Sequence, residues 1–119
     1  MANPNVVNVT AIYGKTSFLS VTTTTTSILS NASASGTVIK VNSLYVSNVD
    51  GTNAADINGT VYNGSTDYNI ASTISVPADT TLVLISKDTS IYLEEGQSIR
   101  LAASANGDLE AVISYEVIS

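Results

Sequence analysis

A chain of 119 residues with net charge −6 has room for one ordinary domain and no electrostatic footprint for a nucleic-acid backbone. Size scaling gives about 6,100 Å² of folded surface against about 17,800 Å² unfolded, enough burial for a core without cysteine staples. Val, Ile and Thr supply 39 residues while Glu, Lys, Leu, Arg, Gln and Met together supply 18, which excludes an all-helical chain or coiled coil.

The elements then follow in chain order. Residues 6–13 read as a first strand, with Val7, Val9, Ala11 and Tyr13 on one face and Gly14-Lys15 closing it. Residues 16–21 continue in β fashion around Phe18, and five threonines at 22–26 follow without a facial pattern. Small polar residues at 31–36 read as loop, and the whole stretch 22–36 is expected to be a flexible arm or loop. Residues 37–49 carry the best strand signal. Both of its faces hold apolar positions, as in an inner strand or one that bends between sheets.

Asp50-Gly51 ends that strand, and residues 57–62 form a short one interrupted at Asn58-Gly59. Asn63-Gly64 between two strand-like runs is a strong hairpin signal. The next run places Tyr68, Ile70, Ser72, Ile74 and Val76 on one face, until Pro77 removes a ladder donor. Leu82-Val83-Leu84-Ile85 is expected to be covered on both faces, the most buried stretch of the chain. Ile91-Tyr92-Leu93 is a short strand and residues 94–97 an acidic turn. Residues 98–103 alternate Ile99 and Leu101 inward with Arg100 outward. The closing strand, 109–118, puts Leu109, Ala111, Ile113, Tyr115 and Val117 on one face. Eight to ten short strands at this spacing predict an all-β, antiparallel β-sandwich over residues 1–119, jelly-roll or immunoglobulin-like.

The missing residues narrow the chemistry. Without His, Cys or Trp, the chain cannot assemble His/Cys zinc sites, thiol nucleophiles, Ser-His-Asp triads or haem and iron–sulfur ligation by those residues. The start, Met1-Ala2-Asn3-Pro4-Asn5, lacks the basic and apolar runs of a signal peptide, and no apolar segment reaches the ~20 residues of a membrane span. Neither nucleic acid nor membrane is an expected partner.

The remaining candidates are few. Asp50, Asn53 and Asp56 share one stretch and their oxygens suit a calcium ion, although turn-forming Asp and Asn explain them without a metal. Glu94 and Glu95 are adjacent and should point apart, which suits a solvated turn better than an acid/base pair. Ser86-Lys87-Asp88 fails as a serine–lysine dyad for the same reason. Four sequons, at Asn8, Asn31, Asn58 and Asn63, follow from Asn, Ser and Thr abundance. The six tyrosines, Tyr13, Tyr45, Tyr62, Tyr68, Tyr92 and Tyr115, are spread evenly, as core-edge packing would have them. No residue is therefore assigned a catalytic, cofactor-binding or metal-ligating role, and no cofactor is expected. Ser and Thr number 32 against four cations, a polar but weakly charged surface that is cheap to desolvate. With so few cations to guard its edge strands, the chain is expected to pair or bury some edges in an assembly.

The stretch Lys40-Val41-Asn42-Ser43-Leu44-Tyr45-Val46-Ser47-Asn48-Val49-Asp50-Gly51-Thr52 resembles small virion proteins of tailed bacteriophages, particularly those of marine cyanobacterial viruses. Residues 75–85, 91–101 and the closing Ser114-Tyr115-Glu116 share the resemblance, which covers roughly the last two-thirds of the chain. It implies a non-enzymatic β-sandwich subunit of the virion, assembled in the host cytoplasm. The expected role is a capsid decoration or cement protein on the major capsid protein shell, as a homo-oligomer with a trimer favoured. A tail, collar or baseplate component is the alternative within that resemblance, and a carbohydrate-binding module the alternative outside it.

Overall fold

β-Branched residues dominate the alternating segments, and a computed structural model describing residues 3–119 pairs them into two antiparallel sheets. Nine strands lie among the described residues: β1 (Ile12–Val21), β2 (Thr26–Ser30), β3 (Val38–Asn48), β4 (Ala55–Tyr62), β5 (Asp67–Val76), β6 (Thr81–Ile85), β7 (Ile91–Leu93), β8 (Ser98–Ala103) and β9 (Leu109–Ile118). One sheet runs β1-β9-β3-β6, with β7 also on β3; the other runs β2-β8-β4-β5. The expected antiparallel β-sandwich is present, and its accessible surface of 6237 Å² matches the burial expected from chain length.

Strand β3 sits between β9 and the β6/β7 pair, and its apolar positions fall on both alternation phases because the phase changes along it. Its register slips between Val41 and Ser43, so Asn42 is an extra residue. The bulge changes phase: Ile39 and Val41 before it, and Leu44 and Val46 after it, all face the core. Across from them on β9 lie Val117, Tyr115, Ile113 and Ala111. The opposing sheet contributes Ile57, Ile99, Leu101 and Val76 to the same cluster. Each fully buried aliphatic side chain contributes about 1.5–3 kcal/mol. The inward sets read from the sequence for β8 and β9 are those observed, apart from Val117, which is half-buried.

Several expectations need correction. The first strand begins at Ile12, not residue 6: its partner β9 ends at Ile118, and just before it only Thr10 and Ala11 are bonded, to Ser119. Val7 is 91% exposed, and Gly14 lies inside β1. The four apolar residues 82–85 form an edge strand, so only Ile85 is buried and Val83 is half-exposed. In β5 the one-face stripe is broken. Its register against β4 shifts on either side of Gly59, Thr73 takes φ 50°, and Tyr68 and Ile74 are exposed. Asn58-Gly59 does not interrupt β4; Gly59 lets the strand lie against Leu101, Ile70 and Leu84, where an added Cβ would come within 3.3–3.5 Å.

Asn63-Gly64 does turn β4 into β5, through four residues from Asn63 to Thr66. Within the stretch 22–36, residues 26–30 are β2, paired with β8, and a register slip at Ile28 lets both Ile28 and Leu29 reach the core. Two buried asparagines fasten the ends of the sandwich. Asn31 Nδ2 donates to Thr37 O and Leu93 O while its Oδ1 accepts from the Ser35 and Thr37 hydroxyls. Asn48 Nδ2 donates to Asn53 O and Val76 O, and its Oδ1 accepts from Asp50 N.

Candidate interaction face

The edges are guarded without much positive charge. β2, β6 and β7 are three to five residues long, β5 is kinked by its register breaks, and β1 carries Lys15 on its core-facing phase. Candidate contact therefore moves from the edges, where sequence reasoning placed it, to a face.

Register identifies that face. On the outer side of the larger sheet, Phe18 of β1 lies opposite Val112 of β9, Val112 opposite Tyr45 of β3, and Tyr45 opposite Val83 of β6. Directly opposed residues share a face, so these four side chains form one apolar row across the whole sheet. Phe18 is 73% exposed, Val83 50% and Tyr45 40%, with Val112 half-buried between them. On one flank runs Ser20, Glu110, Ser47 and Thr81; on the other, Thr16, Ser114 and Ser43. A shallow groove of about 520 Å³ lies along the second flank, lined by Asn42, Ser43, Ser86, Lys87 and Ser114 beneath Tyr45 and Val83. A smaller one of about 260 Å³ lies between Phe18 and Glu110.

Further along the same face, Ile12, Ile118 and Val38 form another apolar row. Here Val38 and Ile118 are buried, with Pro4 and Val6 of the N-terminal segment beside Val38. That segment is tied down by Thr10 N–H and Ala11 N–H, which both donate to Ser119 O, and by Asn3 Nδ2, which donates to Glu94 Oε1. In this row Val38 and Ile118 are thus covered by the chain itself while Ile12 stays half-exposed, whereas the Phe18–Val83 row faces solvent along most of its length.

The outer side of the smaller sheet differs. Arg100 lies 3.6 Å over the Tyr62 ring and 3.3 Å from Asp67, whose other oxygen accepts from Thr60. Those groups satisfy one another and leave no apolar stripe.

The chemical candidates do not converge. Asp50 Oδ1 accepts from Thr52 N and Asn53 N, and its Oδ2 from Asn53 Nδ2, so three donors of its own loop already occupy the carboxylate. These backbone donors hold its pKa below the usual carboxylate value. Asp56 stands apart on β4, where its N–H donates to Ser104 Oγ. Among the described residues no group of three or more carboxylates is placed to hold a metal ion, and no helix is long and apolar enough to cross a membrane. Glu94 and Glu95 diverge: Glu94 turns to Asn3, and Glu95 Oε2 accepts from Gly36 N. Lys87 begins a single 3-10 turn, Lys87–Thr89, while Ser86 N–H donates to Thr89 Oγ1, so no Ser–Lys dyad forms. Of the tyrosines, Tyr115 is core, Tyr62 lies under Arg100, and Tyr13, Tyr45, Tyr68 and Tyr92 are exposed. Sequence reasoning missed the Phe18–Val112–Tyr45–Val83 row; the available signal was apolar residues at the solvent phase of alternating strands.

No protein-family model and no curated protein matches the chain. Among solved structures, it is similar to two described as a pentameric capsid protein isolated from metagenomic phage sequences. Both are 19% identical, with TM-scores of 0.41 and 0.40 over 85% of this chain. This chain spans 59% and 63% of their lengths, and at that level of likeness no role passes from them to it.

Proposed function

We propose that this chain is a non-enzymatic structural protein of a tailed-bacteriophage virion, a decoration or cement protein seated on the major capsid protein shell. The observation that carries the reading is the contrast between the two outer faces. One holds an apolar row across four strands; the other is polar and self-satisfied. Such an unshared apolar stripe on a weakly charged protein suits docking against another protein surface.

The strand order supports it by analogy of fold. Pairing β1-β9-β3-β6 against β2-β8-β4-β5 reads as a jelly roll, an architecture used by viral capsid, lectin and cupin domains. The sequence resemblance to tailed-phage virion proteins points the same way. We favour a homo-oligomer, and a trimer among its forms, as the resemblance to decoration proteins implies. A tail, collar or baseplate position uses the same face.

A second reading rests on one feature. Phe18 and Tyr45 stand on the same face with one strand between them, about 10 Å apart, a spacing that also suits stacking on a carbohydrate chain. Two measurements separate the readings. Phe18→Ser with Tyr45→Ser should abolish co-sedimentation with phage particles lacking the protein. Oligosaccharide titration should leave tyrosine fluorescence unchanged. Undiminished co-sedimentation of the double variant contradicts the docking face, and a saturable fluorescence change selects the carbohydrate reading.

A further inference from the structure

Three Asn-Gly pairs occur in the chain, at 58–59, 63–64 and 106–107, and the structure gives them different surroundings. Asn58-Gly59 is inside β4, laddered to β5 and β8, with Gly59 buried. Asn106 is exposed, and its Oδ1 accepts one hydrogen bond, from Thr23 N. Asn63 is exposed too, but three donors converge on its Oδ1: Thr66 N at 2.8 Å, Ser65 N at 3.0 Å and Ser65 Oγ at 3.2 Å. Gly64, at φ 102°, is exposed, and its carbonyl accepts from the Tyr62 hydroxyl.

We infer that Asn63 is a self-modification site, the position where this chain deamidates first. The Gly64 backbone nitrogen loses its proton to water and attacks Asn63 Cγ, forming a C–N bond. Negative charge builds on Oδ1 in the tetrahedral intermediate, where the three donors stabilise it as an oxyanion hole does. The Cγ–Nδ2 bond then breaks, ammonia leaves with a proton from water, and the succinimide is opened by water to isoaspartate or aspartate. Glycine matters twice, as an unhindered nucleophile and as the residue that accepts the positive φ. The product adds a carboxylate next to Gly64, whose own backbone lies against the acidic turn at 94–97: a Cβ on Gly64 would be 3.6 Å from Gly96 O.

The test is peptide mapping by mass spectrometry of the full-length protein held at pH 8 and 37 °C, with isoaspartate identified by fragmentation. Asn63 should gain 1 Da several-fold faster than Asn106, and Asn58 should lag both. Ser65→Ala removes one donor and should slow Asn63 by about 2- to 10-fold, the range for one hydrogen bond, while Ser65→Thr should restore the rate. If loop mobility governed instead, Ser65→Ala would accelerate the reaction. That acceleration, or Asn106 reacting as fast as Asn63, overturns the inference.

Discussion

Replacing Asn31 by Asp changes one group while keeping the side chain's shape, which makes it a sharp test of how the sandwich end is held. Asn31 is 3% exposed and makes four hydrogen bonds, two as donor and two as acceptor. An aspartate keeps both acceptors and strips the donors from Thr37 O and Leu93 O. Each carbonyl left unsatisfied costs about 1–3 kcal/mol, so the expected loss is on the order of 3 kcal/mol. A domain of this length has an unfolding entropy near 250 cal/mol/K, so the midpoint should fall by about 12 °C. The pH dependence gives a second handle. Burial opposite carbonyls raises the folded-state pKa of the new carboxyl above its unfolded value, so the penalty is full at neutral pH and shrinks as pH falls towards the unfolded value. Circular-dichroism melts of both proteins at pH 7 and pH 4 measure both effects. A loss below about 1 kcal/mol at pH 7, or a gap that widens at low pH, would refute the reasoning.

Three further outcomes follow from the same structure. Gly59→Ala puts a methyl 3.3 Å from Leu101 Cδ2 and 3.4 Å from Ile70 Cγ1, and should cost about 1–3 kcal/mol in denaturant titration. Phe18→Ser acts on an exposed side chain and should change stability by no more than about 0.5 kcal/mol in the same assay. Asp50 has a depressed pKa, so its stabilising contribution is present above the ordinary carboxylate value and is lost as pH falls through the lower folded one. Asp50→Asn should therefore flatten the acid limb of the stability curve, followed by fluorescence-detected unfolding between pH 5 and 2.

Much of the sandwich was legible because alternation survives wherever one face is buried. β8 and β9 show this most plainly: Ile99, Leu101, Ile113 and Tyr115 are inward as their phase dictates. Breaks in phase were not legible. Asn42 and Ile28 are single extra residues that re-aim a strand, and nothing in their chemistry marks them as bulges. Burial on one or both faces also depends on a strand's place in the sheet. Leu82-Val83-Leu84-Ile85 has the composition of a central strand yet forms an edge. Asn31 reads as an ordinary loop residue until the strand ends it joins, at Thr37 and Leu93, are brought together. The candidate face needs register across four strands drawn from both halves of the chain. Phe18 and Val83 are 65 positions apart in sequence and meet only through Val112 and Tyr45.

The central claim, that the chain is a structural component of a phage particle, is tested most directly by quantitative mass spectrometry of purified virions from a phage encoding it. The decoration reading predicts a copy number comparable to that of the major capsid protein. Tens of copies would move the chain to the tail, and its absence from the particle would contradict the account.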